Sequence, residues 1–341
     1  MKHLFVLNPS AGQYDRSQEM IARLADTLDP LGVAWEARVT DYPGHAVELA
    51  RAAAETGESV RIYACGGDGT LNEVVNGAAG YPNAAVTQYP CGSGNDFLRL
   101  FGQDRGRFYD LKELVYGDQA AADLMDCNGR LSLNICSVGF DARIGLGMAQ
   151  FRRYPMVSGP MAYQLSLVKN LIAGIARPYE VEVDGETFAG DFSLLCACNG
   201  RYYGGGFHPS PRAVPDDGVL EFLLVKGVSR LTVARLVKLY AAGRAEEIPE
   251  LVILRRGRSM KVRCDRLSMV NVDGERLDTD ELSIALSAKK VNFVIPRGAS
   301  WAPASSVKNE ISGEKRDKKT LREIERDSPG NSPIIHKKFK N

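Results

Sequence analysis

Cys65-Gly66-Gly67-Asp68-Gly69-Thr70-Leu71-Asn72 is the stretch on which the reading of this chain turns. Val60-Arg61-Ile62-Tyr63-Ala64 before it reads as a short buried strand, and Leu71 to Ala79 after it as a helix. Three glycines within four residues let the backbone turn sharply and approach a ligand with no Cβ in the way. A helix that opens on such a loop offers unpaired N–H groups and the positive end of its dipole to an anion. Thr70 is the expected N-cap. The simplest ligand is a phosphate chain, and Asp68 in the middle of the loop suggests that a metal or a proton is handled there too. A tight strand-to-helix turn with no ligand is the other reading of the loop alone.

Outward from this loop the same grammar repeats. Leu4 to Leu7 reads as a first strand, followed by the small-residue loop Asn8-Pro9-Ser10-Ala11-Gly12. Ser17 to Leu28 has helical apolar spacing at Met20, Ile21, Leu24 and Leu28. Ala34 to Val39 reads as a strand ending at Thr40, His45 to Glu55 as an Ala-rich helix, and Ala84 to Gln88 as a further strand. The alternation predicts an α/β domain with a mostly parallel sheet and helices on both faces. Ligands of such sheets sit beyond the carboxyl ends of the strands. Asn8–Gly12, Thr40, Gly66–Asn72 and Cys91–Asn95 all fall there. In the last of these loops Gly92-Ser93-Gly94-Asn95 offers N–H groups and a hydroxyl to phosphate, unless it is a plain capped turn.

After about residue 120 strands dominate, expected at Ala120–Asp126, Leu131–Ser137, Tyr179–Val183, Phe188–Asn199, Val219–Lys226, Leu251–Leu254, Met260–Cys264, Ser268–Val272 and Leu282–Ser287. Turns such as Asn128-Gly129 and Asp184-Gly185 separate several of them. This half reads as a β-rich domain of sandwich or barrel type. Gly139 to Leu171 and Arg230 to Tyr240 read as inserted helices, and Asn292 to Ile295 as a final strand. The expected division is an α/β domain over residues 1–125, a β-rich domain over 126–290, and a last strand at about 290–297 returning to the first domain. Residues 302–341 carry ten Lys and Arg against six Asp and Glu, a balance of +4, with few large apolar residues. They read as a mobile charged tail, with a short helix at Lys319–Arg326.

Composition narrows the function. A formal net charge of +1 leaves no global field for nucleic acid. The seven cysteines form no Cys-x-x-Cys pair, so neither a disulfide framework nor a zinc site is indicated, and a reducing cytoplasm is the expected setting. Leu4 to Leu7 is too short for a signal peptide. The longest apolar region, Met156 to Ala176, is broken by Gly159-Pro160, Lys169, Asn170 and Gly174, which suits a packing helix, a pocket wall or a face resting on lipid better than a bilayer span. No Gly-x-x-x-x-Gly-Lys-Ser/Thr stands at the glycine loop, and no Gly-x-Gly-x-x-Gly opens the first helix.

Two acidic turns lie in the second half. Val214-Pro215-Asp216-Asp217-Gly218-Val219 pairs carboxylates with free carbonyls, which suits a hard cation such as Mg²⁺ or simply opens a strand. Val272-Asp273-Gly274-Glu275 could place a carboxylate at a domain junction, where a hydroxyl attacking a phosphoryl group needs a proton acceptor.

These segments stand in one order with Gly92-Ser93-Gly94-Asn95-Asp96-Phe97 and Gly139-Phe140-Asp141-Ala142. Over residues 2–297 the chain resembles the diacylglycerol kinase catalytic-domain family in its bacterial soluble lipid kinase branch, more distantly related to sphingosine kinases. The resemblance implies an ATP-binding α/β domain, a β-rich lipid-substrate domain, and an active site between them. By position it implies that Asn8, Pro9, Ser10, Ala11, Gly12, Thr40, Gly66, Gly67, Asp68, Gly69, Thr70, Leu71, Asn72 and Ser93 contact ATP. Ser93 stands where many relatives have Thr. Asp217, with the carbonyls of Val214 and Val219, would hold a structural Mg²⁺. Glu275 would be the general base, and Asp68, Asp96 and Asp123 would organise the catalytic Mg²⁺ and its waters. A lipid substrate met at a membrane surface, transient peripheral contact, no nucleic acid and a homodimer complete the expectation. An NAD kinase-like enzyme and a non-catalytic nucleotide- or lipid-binding regulator are the alternatives.

Overall fold

The strands around the glycine loop are mostly apolar and, apart from Lys2, buried, as strands covered on both faces are. The computed structural model describes residues 1–12, 14–92, 94–151, 154, 165, 166, 169, 170 and 175–301. Its first part alternates β1 (Lys2–Leu7), α1 (Ser17–Leu28), β2 (Trp35–Val39), α2 (His45–Glu55), β3 (Val60–Gly66), α3 (Asp68–Ala78) and β4 (Ala84–Pro90). These strands pair in parallel, with Phe5 opposite both Ala37 and Tyr63, and Ile62 opposite Val86. Leu24 and Leu28 of α1, and Ala46, Ala50 and Ala54 of α2, are the buried stripes that seat the helices. A 3₁₀ segment (Phe97–Tyr109) and α4 (Leu111–Val115) follow, with Asp110 Oδ1 capping α4 by accepting from Lys112 N at 2.8 Å.

The rest is built from β5 (Asp118–Cys127), β6 (Arg130–Ser132), β7 (Ile135–Gly139), α5 (Phe140–Phe151), β8 (Arg177–Val183), β9 (Glu186–Cys198), β10 (Leu220–Lys226), α6 (Arg230–Ala241), β11 (Val252–Gly257), β12 (Ser259–Val272) and β13 (Glu275–Ile295). The expected strands at 260–264 and 268–272 are one strand, β12, whose register shifts between Arg263 and Ser268. Those at 282–287 and 292–295 are likewise one strand, β13, shifting between Leu286 and Lys290. The expected strand at 131–137 is instead two, β6 and β7, because the N–H groups of residues 133–135 leave the ladder for a side chain described below. Of the helix expected at 139–171, α5 is described. Most of the remainder, with most of the apolar region 156–176, and the tail from 302 lie outside the described residues.

One continuous hydrogen-bonded network joins both halves, in the order β11-β10-β9-β7-β12-β13-β4-β3-β1-β2, and β5 also pairs with β13. β13 is the join. It runs antiparallel to β12 at its start and parallel to β4 at its end, where Asn292 faces Ala85 and Phe293 faces Val86. Phe293 enters the first core against Phe97, at 5.2 Å between ring centroids, and near Trp301 at 6.0 Å. A second core lies among Val181, Phe222, Val262, Val270 and Ile284. The expected boundary at residues 125 and 126 falls inside β5.

Candidate active site

The turn from β3 into α3 is held by what its glycines permit. A Cβ on Gly66 would stand 2.2 Å from Thr70 Oγ1, and one on Gly92 would stand 2.5 Å from Gly67 Cα. Two loops at the carboxyl ends of β3 and β4 therefore touch backbone to backbone. α3 begins one turn earlier than expected, with Gly67 as its N-cap. Thr70 is not the cap but a first-turn residue, and its hydroxyl accepts from Asn8 Nδ2 at 2.9 Å. The first intrahelical bond runs from Leu71 N to Gly67 O, so the N–H groups of Asp68, Gly69 and Thr70 precede the ladder and face outward along the axis. Asn8 also folds its own loop, Oδ1 accepting from Ser10 N at 2.9 Å and its carbonyl from Ala11 N at 3.0 Å. Thr40 follows β2, its N–H donating to Leu7 O at 2.9 Å. Residues 8–12, 40 and 66–70 thus line one rim, while the Leu71 side chain is buried in the core. Ser93 lies outside the described residues.

Asp68 and Asp96 meet on this rim. Asp68 Oδ1 accepts from Asp96 N at 2.8 Å and lies 3.5 Å from Phe97 N. Burial, with the Asp96 charge beside it, pushes the Asp68 carboxyl up to about 7. Asp96 is buried, one oxygen on Arg99 Nε at 2.9 Å and the other on Gly205 N at 2.7 Å. Glu275 is exposed at the head of β13, and its Oε1 lies 3.6 Å from where a Cβ would sit on Gly69. A carboxylate thus stands over an open helix end that favours anions. It lies on the wall of a cleft of about 980 Å³ that Gly44, Asn72 and Glu73 also line.

Residues 2–127 match the family model described as the diacylglycerol kinase catalytic domain. Residues 134–293 match the model of the YegS C-terminal NAD kinase beta sandwich-like domain. The chain is 34% identical over 233 residues to a probable lipid kinase YegS-like of Chromohalobacter salexigens, covering 66% of this chain and 71% of that one. It is 27% identical over 273 residues to the diacylglycerol kinase of Bacillus subtilis, covering 79% and 88%. The chain belongs to the diacylglycerol kinase family. A diacylglycerol kinase structure from Bacillus anthracis shares the fold, with a TM-score of 0.62 at 20% identity over 86% of this chain and 96% of that one.

Not every expected site residue of this lipid kinase joins the rim. Asp123 is buried elsewhere, with Lys290 Nζ at 2.7 Å on Oδ1 and Gly218 N at 2.7 Å on Oδ2. Its N–H donates to Pro215 O at 2.6 Å, so it braces the Asp216-Asp217 turn. In that turn Asp217 Oδ1 accepts from Val219 N at 3.1 Å, and Asp217 N donates to Val214 O at 3.4 Å. A carboxylate and a carbonyl gathered in one turn are donors a hard cation takes. Arg256 Nη2 holds Asp217 Oδ2 at 2.8 Å and its Nε holds Glu221 at 2.7 Å, so a cation there would share the carboxylate with a guanidinium. Among the described residues no group of three His, Cys, Asp or Glu is placed to hold a metal. Asn72 turns its amide away from the rim, donating to Leu131 O at 3.0 Å and Asp273 Oδ2 at 2.9 Å.

Four further residues shape the site with no sign of that role in the sequence. Glu73 accepts from Gly44 N at 3.0 Å and Ala46 N at 3.2 Å, so it caps α2 from α3. Arg99 and Gly205 share Asp96 across 106 residues, with no local signal. Asp273 was visible only as a turn residue. No helix among the described residues is long and apolar enough to cross a membrane.

Proposed function

We propose that this kinase transfers the γ-phosphoryl group of ATP to the hydroxyl of a lipid such as diacylglycerol, with Glu275 as general base. The observation that carries this reading is the Glu275 carboxylate over the open N-terminus of α3. Phosphoryl transfer asks a protein mainly for position and charge. The N–H groups of Asp68, Gly69 and Thr70 receive phosphate oxygens, and the loops at 8–12, 40 and 93 complete the nucleotide site. Glu275 accepts the hydroxyl proton from the opposite side. Mg²⁺ bound with ATP supplies charge neutralisation on the transferring group. Asp68 and Asp96 would hold it, mostly through waters. An Asp68 carboxyl near pH 7 fits that role, because a cation beside it restores the ionised form. Asp123 belongs in this proposal with the second cation site, formed by Asp217 and the carbonyls of Val214 and Val219. The lipid is met at a membrane surface through transient contact, by an enzyme that works as a homodimer.

The test is a panel of lipid alcohols in mixed micelles with labelled ATP and Mg²⁺, scored for phosphorylated product. Diacylglycerol or a related lipid is expected to be labelled, and Glu275→Gln is expected to cut turnover about 10²-fold or more with ATP binding retained. Labelling of no lipid alcohol, or an undiminished Glu275→Gln enzyme, overturns the reading. Vesicle flotation and sedimentation equilibrium check the membrane contact and the dimer.

A further inference from the structure

Glu275 and the helix end it faces lie about two hundred residues apart in sequence, yet one side chain ties them together. Asp273 and Gly274 make the turn that launches β13, with φ values of +50° and +97°. The Asp273 carboxylate points inward and collects five donors. Ser132 Oγ, Leu133 N, Ile135 N and Asn72 Nδ2 lie at 2.8, 2.7, 2.8 and 2.9 Å, and Asn134 N at 3.2 Å. Four belong to the chain from the last residue of β6 to the first of β7, which explains why those two strands are not one. The fifth, Asn72, comes from α3, two residues past Thr70. Asn72 also donates to Leu131 O at 3.0 Å, and its Oδ1 accepts from Asn76 Nδ2 at 3.2 Å. Its amide is thus spent on the junction.

We propose that Asp273 and Asn72 are positioning residues that set the separation between the general base and the phosphate-binding end of α3. The proposal rests on the reading of Glu275 as that base. Neither residue touches the reacting atoms. Asp273 fixes the turn one residue away from Gly274 and two from Glu275, and Asn72 fixes α3 to the same carboxylate. Five donors from two elements converge on one buried carboxylate, so the turn and the helix keep one geometry. A misplacement of about 1 Å in a reacting group can cost about 10²-fold in rate. A residue serving the nucleotide would act on KM for ATP. A residue serving the base acts on kcat, and only while the base is present.

The experiment is a double-mutant cycle of Asn72→Ala with Glu275→Gln, reading kcat and KM for ATP on a labelled lipid alcohol, with thermal melts of each variant. Asn72→Ala is expected to lower kcat about tenfold and leave KM for ATP within about twofold. In the Glu275→Gln background the same change is expected to cost less than about twofold. A raised KM for ATP with kcat kept makes Asn72 a nucleotide ligand and overturns the proposal. A full tenfold cost in the Glu275→Gln background makes the effect generic and also overturns it. Near-normal turnover by Glu275→Gln alone overturns the base assignment itself, which is a distinguishable result. Ser132→Ala, which removes one donor from the other side, runs the same cycle if Asn72→Ala does not fold.

Discussion

Two carboxylates meet α3, one at its tip and one on its flank, and the protein answers them in opposite ways. Asp273 collects five donors and no acid among its hydrogen-bond partners. Asp68 has backbone N–H groups from Asp96 and Phe97, and the Asp96 carboxylate beside it. The first arrangement is complete and serves as a fixture. The second sets two carboxylates side by side with one guanidinium, Arg99, on Asp96, and we propose that a cation completes it. A carboxylate's burial therefore says little about its task until its partners are counted.

The largest effect that would break this contrast is on turnover. Asp68→Asn keeps an acceptor for the Asp96 N–H but removes the charge, and should lower turnover on the order of 10²- to 10³-fold, the scale of lost electrostatic stabilisation. The same variant should gain stability in alkaline buffer. The Asp68 carboxyl is raised from 3.8 to about 7, so the native state holds a proton that the unfolded chain has released between those values. Wild-type stability therefore falls as pH rises from about 4 through about 7, and the variant lacks that slope. Urea melts at pH 5 and pH 8 without Mg²⁺ decide it. Equal pH slopes would place Asp68 among the satisfied carboxylates.

Next is Asp273→Ala, which strands five donors and should cost about 3 kcal/mol or more of unfolding free energy, measured by denaturant titration. A loss under about 1 kcal/mol would erase the difference between the two acids. The third effect is acid sensitivity from the histidines. Burial lowers His3 and His208 from 6.5 to about 4. Their neutral forms contribute stability that is present above pH 6.5 and lost as pH falls toward 4. His3→Gln should flatten the loss over that window in thermal melts. The smallest effect concerns Asp217. Its ion pair with Arg256 is largely exposed and is worth less than about 1 kcal/mol. Arg256→Ala also takes the guanidinium from the half-buried Glu221, so it should lower Tm modestly in EDTA and increase the Tm gained on adding Mg²⁺.

Much of this is legible in the sequence. The Gly66–Asn72 loop, the strands around it and the last strand near residue 292 announce themselves through local pattern, because glycine, alternation and helical spacing act within a few residues. Asn72 shows the limit. Its place in the motif suggested a nucleotide contact, but its amide is claimed by a carboxylate 201 residues away. Asp123 is similar, since Lys290 and Gly218 draw it to another turn. The unity of β12 and of β13 was hidden because a register shift interrupts the alternation on which strand reading depends.

β13 has a consequence for how the chain is made. A ribosome extrudes β1 to β4 long before Phe293 exists. Until then the outer edge of β4 is bare, and the rings of Phe97, Phe101 and Phe108 lack the one they gather around. The portion translated first is thus finished last. A nascent fragment ending near residue 125 should need a chaperone's protection until its missing edge arrives.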